Sequence, residues 1–305
     1  LMALRITKAV DPINVERINL CVYGQPGAGK TSLAFTADAP LLLDFDQGAH
    51  RAANRKDSVR VNNWSDVASM NADDLADYRT VVVDTAGRAL DALTADIIRR
   101  NPKDGRGGAL TLQGYGKLKA EFVAWLKMLN TFGKDVILIA HMDESRNGDE
   151  VIERLDVQGG SKGEIYKAAD AMGRVFVKGN KREIDFSPRE NSFGKNPGQL
   201  DVLDIPHPDR DPLFFAGVIQ SIKDKLNALT ADQMEAQAKI AEWREAIDLL
   251  ETAEDFNGKL EAIKAQPVAI REIFKGAAAR RGLVWQKDAF AVPEAKNDDA
   301  QDEAA

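Results

Sequence analysis

A glycine-rich segment near the N-terminus has the residue types and spacing of a phosphate-binding loop. Residues 24–31 read GQPGAGKT and satisfy the pattern G-x-x-x-x-G-K-[ST] in full. Glycines let backbone N–H groups approach an anion closely, and the N-terminus of a following helix adds its positive dipole end. The pattern predicts that a nucleoside triphosphate is contacted by Gly24, Gln25, Pro26, Gly27, Ala28, Gly29, Lys30, Thr31 and Ser32.

Three side chains are expected to carry the ion chemistry of this loop. Lys30 would neutralise charge on the β- and γ-phosphates, which makes it a predicted catalytic residue. Thr31 offers a hydroxyl to Mg²⁺, and Asp84 ends the apolar run TVVVD, where a carboxylate can hold the magnesium shell. The sequence therefore predicts ATP and Mg²⁺ as cofactors, with Thr31 and Asp84 as the metal residues. The alternatives are a chance glycine-rich turn and an ordinary aspartate at a strand end.

The apolar pattern around the loop predicts an α/β fold. Several apolar runs show no alternation of apolar and polar residues, as is typical of buried parallel strands. They are separated by segments whose apolar residues have helical spacing. This order favours a doubly wound, mainly parallel sheet. The predicted strands are 18–23, 41–45, 80–84, 136–140 and 174–177, with 183–186 as hairpin material and helices at 31–35 and 117–129.

The pattern changes after residue 180, and helical signals dominate from Asp211-Pro212, a typical helix start. The segment Thr230–Gln233 predicts a capping box, Pro267 a further helix start and Gly282 a helix end. We predict an ATP-binding core at 1–222, a C-terminal helical appendage at 223–292 and a disordered acidic tail at 293–305.

Two short motifs imitate small GTPases. Residues 84–87 read DTAG, and residues 180–183 read NKRE, which is close to the guanine-reading pattern NKxD. Glu183 stands where that pattern needs an aspartate, and no switch threonine is evident. The GTPase interpretation is therefore rejected.

Two other segments resemble the RecA-type recombinases and imply a RecA-like core. The segment LLLDFDQGAHR resembles the family's second strand with its acidic end, and this places Asp46 at the general-base position. The segment VILIAHMD resembles a strand that ends in a γ-phosphate sensor, and this places His141 there. The family usually has glutamate at the first position and glutamine or asparagine at the second. The alternatives are a loop carboxylate for Asp46 and an ordinary strand-end histidine for His141.

Residues 15–215 more specifically resemble the compact RecA-like ATPases of bacteriophages called Sak-four-type single-strand annealing proteins. The resemblance rests on the phosphate-binding loop with the serine that follows it, and on the nearby strand with an acidic end at 40–48. The resemblance implies an ATP-dependent ATPase that binds single-stranded DNA and promotes annealing or strand pairing. It further implies a homo-oligomer, either ring or filament. A single-strand-binding protein or another replication or recombination protein would be a further partner.

Basic residues offer several places for DNA. Residues 99–108 form a basic, glycine-rich stretch that could follow a phosphate backbone, and Tyr115 offers a stacking face nearby. The alternative is a solvated loop. The predicted DNA contacts are Arg99, Arg100, Lys103 and Arg106 in this stretch, Lys178, Lys181 and Arg182 in a second basic set, and Lys162 in a glycine-rich segment.

The composition does not indicate which kind of partner the protein binds. The 305 residues carry a net charge of −7, and residues 294–305 contain five acids against one lysine. Cys21 is the single cysteine, so an intramolecular disulfide is excluded. No apolar run is long enough to span a bilayer, and the first ten residues lack signal-peptide features, so no membrane and a cytoplasmic location are expected, in the host cell if the gene is viral.

A different class of function fits the same motifs. A regulatory or loader ATPase would switch a protein partner in DNA replication and have little DNA affinity of its own. An NTPase acting on small molecules is a third class, but no convergent set of residues supports it.

Overall fold

The computed structural model describes residues 14–147, 150–156 and 162–293. It divides the chain into two compact units, Asn14–Ala228 and the described residues from Leu229 onward. The boundary predicted after residue 222 lies in the same helix as this division. The N-terminal segment, the glycines before Lys162 and the acidic tail from residue 294 lie outside the described residues.

The first unit contains a nine-stranded sheet in its described residues. The strands are β1 (Asn19–Gly24), β2 (Pro40–Asp44), β3 (Ser58–Arg60), β4 (Thr80–Asp84), β7 (Asp135–Asn147), β8 (Glu150–Leu155), β9 (Ala171–Lys178), β10 (Lys181–Asp185) and β11 (Leu203–Ile205). Two further strands, β5 (Gly105–Arg106) and β6 (Ala109–Leu110), form a separate hairpin.

The sheet order is β11-β10-β9-β1-β7-β4-β2-β3, and β8 pairs with β7. The pairs from β3 to β9 along this order are parallel, whereas β10, β11 and β8 are antiparallel additions. Parallel pairing places the carboxyl ends of β1, β4 and β2 at one edge, together with His141 of β7, a strand that continues beyond this edge to Asn147. The predicted functional residues of these strands therefore meet there.

Helices cover both faces of this sheet. They are α1 (Lys30–Ala34), α2 (Ser65–Ala68), α3 (Ala86–Arg100), α4 (Leu112–Thr131), α5 (Lys162–Ala168) and the first part of α6 (Phe214–Asp248). One apolar cluster packs α3 and α4 on the sheet through residues such as Leu93 and Phe122. A second packs α1 and α6 on the opposite face through Leu33 and Phe215. The predicted α/β fold with a mainly parallel sheet is confirmed.

The second unit is small and mainly helical. It contains the end of α6, then α7 (Ala253–Gly258), α8 (Leu260–Lys264), α9 (Val268–Arg280) and a hairpin of β12 (Val284–Gln286) with β13 (Ala289–Ala291). Its core is aromatic: the rings of Phe256, Phe274 and Phe290 lie 5.0–5.8 Å apart between centroids. The predicted helix start at Pro267 and end at Gly282 agree with α9.

The capping box predicted at Thr230–Gln233 is wrong. Helix α6 continues through this segment without interruption, because strong helix formers flank it on both sides and no glycine or proline breaks the pattern. A capping box is present instead at Thr252 and Asp255, where α7 begins. The predicted start at Asp211 is close: its carboxylate accepts a hydrogen bond from the backbone of Leu213, and α6 begins at Phe214.

Cys21 is buried in the sheet, and this burial raises the pKa of its thiol to about 12, so the thiol is unreactive near neutral pH. None of the helices in the described part of the chain combines the length and apolar character that crossing a membrane requires.

A largely buried ion pair joins the sheet to α6, with the side chains of Lys223 and Asp135 12% and 11% exposed. The carboxylate of Asp135 accepts from Lys223 Nζ at 2.6 Å and from the backbone N–H of Ile18 at 2.8 Å. We predict that Asp135→Asn lowers the free energy of unfolding by about 3–5 kcal/mol, because it leaves a buried ammonium without its counter-ion. Urea unfolding followed by circular dichroism would measure this loss.

The matched control is Asp204→Asn, which breaks an exposed pair with Lys181 and should cost less than about 1 kcal/mol. Equal losses in the two variants would contradict the structural role given to Asp135.

Candidate nucleotide-binding site

The phosphate loop connects β1 to α1, as its sequence predicts. Gly24 ends β1 close to the neighbouring strand β9, and a Cβ built on it would lie 2.2 Å from the carbonyl oxygen of Val175. Gly29 has φ +86° and precedes the first residue of α1. A side chain is excluded sterically at the first position and is strained at the second, so the two glycines are required by the backbone path.

Lys30 is buried inside the loop. Its Nζ donates to the carbonyl oxygens of Gly24 and Gln25, both at 2.9 Å. Burial lowers the pKa of Lys30 to about 8, an effect that the nearby carboxylates of Asp84 and Asp46 partly oppose. A buried cation with only carbonyl partners is a strong binding group for an anion that enters the loop.

The two predicted magnesium residues lie in contact. The hydroxyl of Thr31 donates to Asp84 Oδ2 at 2.6 Å. Burial raises the pKa of Asp84, the Thr31 hydrogen bond lowers it, and the charges of Asp46 and Asp44 raise it further. A divalent cation at this position would offset the crowding of negative charge.

The chemistry of these donors fits magnesium. Within the described residues, no group of three or more His, Cys, Asp or Glu side chains could enclose a metal by itself. Magnesium normally takes one or two protein oxygens and completes its shell with water and substrate phosphates. Thr31 and Asp84 supply this kind of partial site.

Asp46 lies at the tip of a turn that Asp44 organises. The carboxylate of Asp44 accepts from the backbone N–H groups of Gly48 and Ala49 at 2.9 and 3.0 Å. The backbone N–H of Asp46 donates to the carbonyl oxygen of Asp84 at 3.0 Å. These contacts hold Asp46 beside the end of β4, where the sequence predicts a general base.

Two arginines that the sequence analysis did not single out contact Asp46. Arg51 Nη2 lies 3.2 Å from one carboxylate oxygen, and Arg88 Nε lies 3.8 Å from the other. Both arginines are exposed, so water can replace them at modest cost. Arg88 lies in the first turn of α3, four residues after Asp84, and this spacing is the one signal by which it could have been found.

His141 lies next to the loop, because Gly24 and His141 are register partners on β1 and β7. Burial lowers the pKa of His141, and the positive charge of Lys30 lowers it further, so the imidazole is neutral at neutral pH. Its Nδ1 atom is buried and has no hydrogen-bond partner in the described part of the chain. A ligand in the loop would have this nitrogen available, and the predicted role as phosphate sensor remains a prediction.

A family comparison fits this geometry. The family model described as "AAA domain" matches residues 16–197, which is more than half of the chain and includes the loop, Asp46, Asp84 and His141. The chain belongs to the AAA domain family. The protein is therefore a P-loop ATPase in general terms. A search of curated proteins found none that matches its sequence.

The predicted DNA residues of this AAA domain protein lie in different surroundings. Arg99 and Arg100 both pair with Asp96, at 2.6 and 2.7 Å, and Arg100 also pairs with Glu121. Lys103 and Arg106 are exposed and have no ion-pair partner among the described residues. Arg99 and Arg100 are thus engaged in ion pairs, whereas Lys103 and Arg106 are available to bind an anion.

The second basic set is divided in the same way. Lys178 and Lys181 are exposed on the β9–β10 hairpin, and Lys181 pairs with Asp204 at 2.5 Å. Arg182 is half-buried, with its guanidinium against Gly29 of the phosphate loop. Lys162 is the first residue of α5, but its side chain lies outside the described part of the structure.

Substitutions of Asp46 and Asp84 should affect the kinetics of ATP hydrolysis in different ways. We predict that Asp46→Asn leaves ATP affinity unchanged and lowers turnover by roughly 10²–10⁴, the usual contribution of a general base. Asp84→Asn should first raise the magnesium concentration needed for half-maximal turnover, because it removes the carboxylate beside Thr31. Steady-state ATPase assays with a magnesium titration measure both effects.

Asp91→Asn is the control, since it removes a carboxylate that pairs with Arg88 on the solvent side. It should behave like the wild type. An Asp46→Asn variant whose ATP binding falls as much as its rate would show that Asp46 is a binding ligand instead.

The pKa of Lys30 predicts a pH dependence of nucleotide binding. The triphosphate favours the charged lysine and raises its pKa, so binding above pH 8 takes up a proton. Affinity should fall above pH 8 by up to about tenfold per pH unit. The stability of the nucleotide-free protein should depend on pH in the opposite direction. Between pH 8 and 10.5 Lys30 binds more protons in the unfolded chain than in the folded one, so its contribution to the free energy of unfolding rises with pH.

Calorimetry in two buffers of different ionisation enthalpy, between pH 7.5 and 9.5, measures the proton uptake. Lys30→Arg keeps its charge over this range and should show none, whatever its affinity. Equal proton uptake by the variant and the wild type would assign the proton to another group.

Proposed function

We propose that this ATPase is an ATP-dependent DNA-recombination protein that binds single-stranded DNA and promotes annealing or strand pairing, in the manner of the phage annealing proteins that residues 15–215 resemble. ATP and Mg²⁺ would occupy the site described above. Hydrolysis would reset a protein–DNA assembly formed by a homo-oligomer, with no covalent change to the DNA. The observation that carries the proposal is a basic hairpin with exposed apolar side chains beside it.

The hairpin is an ordered element. Strands β5 and β6 are joined by Gly107 and Gly108, with φ values of +58° and +83°, as a tight two-residue turn requires. The buried carboxylate of Asp104 supports its base by accepting from Lys117 Nζ at 2.6 Å. The turn therefore presents Arg106 from a fixed position, with Lys103 just before the first strand.

Exposed apolar residues follow the hairpin directly. Leu112 is 90% exposed and Tyr115 is 40% exposed, and both lie in the first turn of α4 on the same helix face. Cations that bind phosphates, next to rings on which bases stack, are the usual composition of a single-strand-binding surface. We name the set Lys103, Arg106, Leu112 and Tyr115 the hairpin surface.

Helix α3 connects the hairpin surface to the nucleotide site. It begins at Ala86, two residues after Asp84, and its 15 residues span about 22 Å before the hairpin. In this proposal, a shift of β4 on hydrolysis is transmitted along this helix. The separation also means that changes at the hairpin should leave DNA-free ATP hydrolysis intact.

The alternative is a regulatory or loader ATPase that switches a protein partner. Two observations favour it: the net charge is −7, and the nearly complete exposure of Leu112 also suits a protein contact. The ion pairs that occupy Arg99 and Arg100 point the same way. The two functions differ in whether single-stranded DNA binds with strong salt dependence.

We predict that Lys103→Glu with Arg106→Glu weakens binding of a labelled single-stranded oligonucleotide of any sequence, because phosphate contacts carry no base information. The slope of log affinity against log salt should fall by about 0.7 for each phosphate that is no longer neutralised. Fluorescence polarisation with ATP and magnesium at several salt concentrations measures both. Tyr115→Ala should weaken binding with little change of slope, since stacking is not ionic.

The control reverses two exposed cations elsewhere, Arg55→Glu with Lys56→Glu, and should leave the slope unchanged. DNA-free ATPase activity should be retained in every variant. If the wild type binds no single-stranded DNA, the partner-switch function replaces this proposal.

A further inference from the structure

Arg182 lies closer to the nucleotide site than its sequence position suggests. It is paired across the hairpin with Val177 of β9, so its side chain is on the sheet face that carries α1. A Cβ built on Gly29 would lie 2.3 Å from Arg182 Nη1 and 3.4 Å from its Cζ. The guanidinium therefore rests on the glycine that precedes Lys30.

This guanidinium is half-buried and has no counter-ion among the described residues. Two neighbouring cations are paired: Lys181 with Asp204, and Arg174 with Glu153. The side chain of Arg182 has neither an ion-pair nor a hydrogen-bond partner among the residues that the structure describes. A partly desolvated arginine without a carboxylate, next to a loop that binds phosphate, is expected to find its partner in the bound anion.

The direction of approach decides which phosphates it meets. Thr31, Asp84 and His141 define the magnesium and γ-phosphate end, and the strands of the last two, β4 and β7, lie on one side of β1. Arg182 reaches the loop from β10, on the other side of β1 beyond β9. It therefore lies away from the cleavable end and beside the part of the loop that cradles the α- and β-phosphates.

We propose that Arg182 is a nucleotide-binding residue that contacts the α- and β-phosphates common to ATP and ADP. It anchors the part of the nucleotide that does not react. Both guanidinium charge and fork geometry matter for this contact. The inference rests on nucleotide binding by the phosphate loop and is independent of the proposed DNA function.

The test measures ATP and ADP affinities of Arg182→Ala without DNA, by displacement of a fluorescent ADP analogue. Both affinities should fall by about 10- to 100-fold and by the same factor, as expected when one charge-assisted hydrogen bond to an anion is removed. Turnover at saturating ATP should change much less than KM. Arg182→Lys should restore part of the affinity. Arg17→Ala, an exposed arginine before the opposite end of β1, is the matched control and should bind both nucleotides like the wild type.

Three results would overturn the proposal: unchanged affinities, a loss confined to ATP, or a lower melting temperature of the nucleotide-free variant that accounts for the binding loss. A loss confined to ATP would place Arg182 at the γ-phosphate. Failure of the loop itself is distinguishable, because wild type and the Arg17→Ala control would then also fail to bind either nucleotide. Failure of the DNA proposal would leave these affinities unaffected.

Discussion

The burial of the Lys30 ammonium inside its own loop is the constraint on which the site depends. Removing this charge from water is unfavourable, and the fold offsets the cost with two backbone carbonyls and two nearby carboxylates. The low pKa of about 8 shows that the offset is incomplete. A bound triphosphate would supply further negative charge beside Lys30, so relief of this remaining desolvation cost would favour binding. The negative charge of Asp84 is also incompletely offset, since burial and the neighbouring carboxylates raise its pKa, and a divalent cation would stabilise the charged form.

The parallel sheet brings these groups together. Gly24, His141, Asp84 and Asp44 come from four strands that are separated by long stretches of chain, yet register pairing aligns them at one edge. Asp44 then uses its carboxylate to fold the turn that carries Asp46. One aspartate thus shapes the backbone, one contacts Thr31 and one lies where the sequence predicts a general base. Their similar side chains have different roles because their surroundings differ.

The ion pairs formed in the fold, more than the number of arginines and lysines, decide where positive charge is available to bind an anion. Arg51 and Arg88 flank Asp46, Arg99 and Arg100 are held by acids on helices, and Arg174 is joined to Glu153. Among the described residues, the phosphate loop and the hairpin surface both hold cations that lack such partners. Each is a place where an anionic ligand would supply the missing counter-charge. The acidic net charge of the chain is therefore compatible with local anion binding.

The sequence by itself determined the phosphate loop, the strand of Asp84, the α/β class and the helix from Pro267, because these depend on local pattern: glycine spacing, unalternated apolar runs and proline's fixed φ. Only the tertiary structure decided which cations are free. The contacts of Arg51 and Arg88 with Asp46, the pair of Arg100 with Glu121 and the position of Arg182 on Gly29 join residues through folding. The pairs of Arg99 and Arg100 with Asp96 instead follow the i,i+3 and i,i+4 spacing of a helix. The capping box predicted at Thr230 failed for a local reason instead: good helix formers on both sides of the segment continue α6 through it.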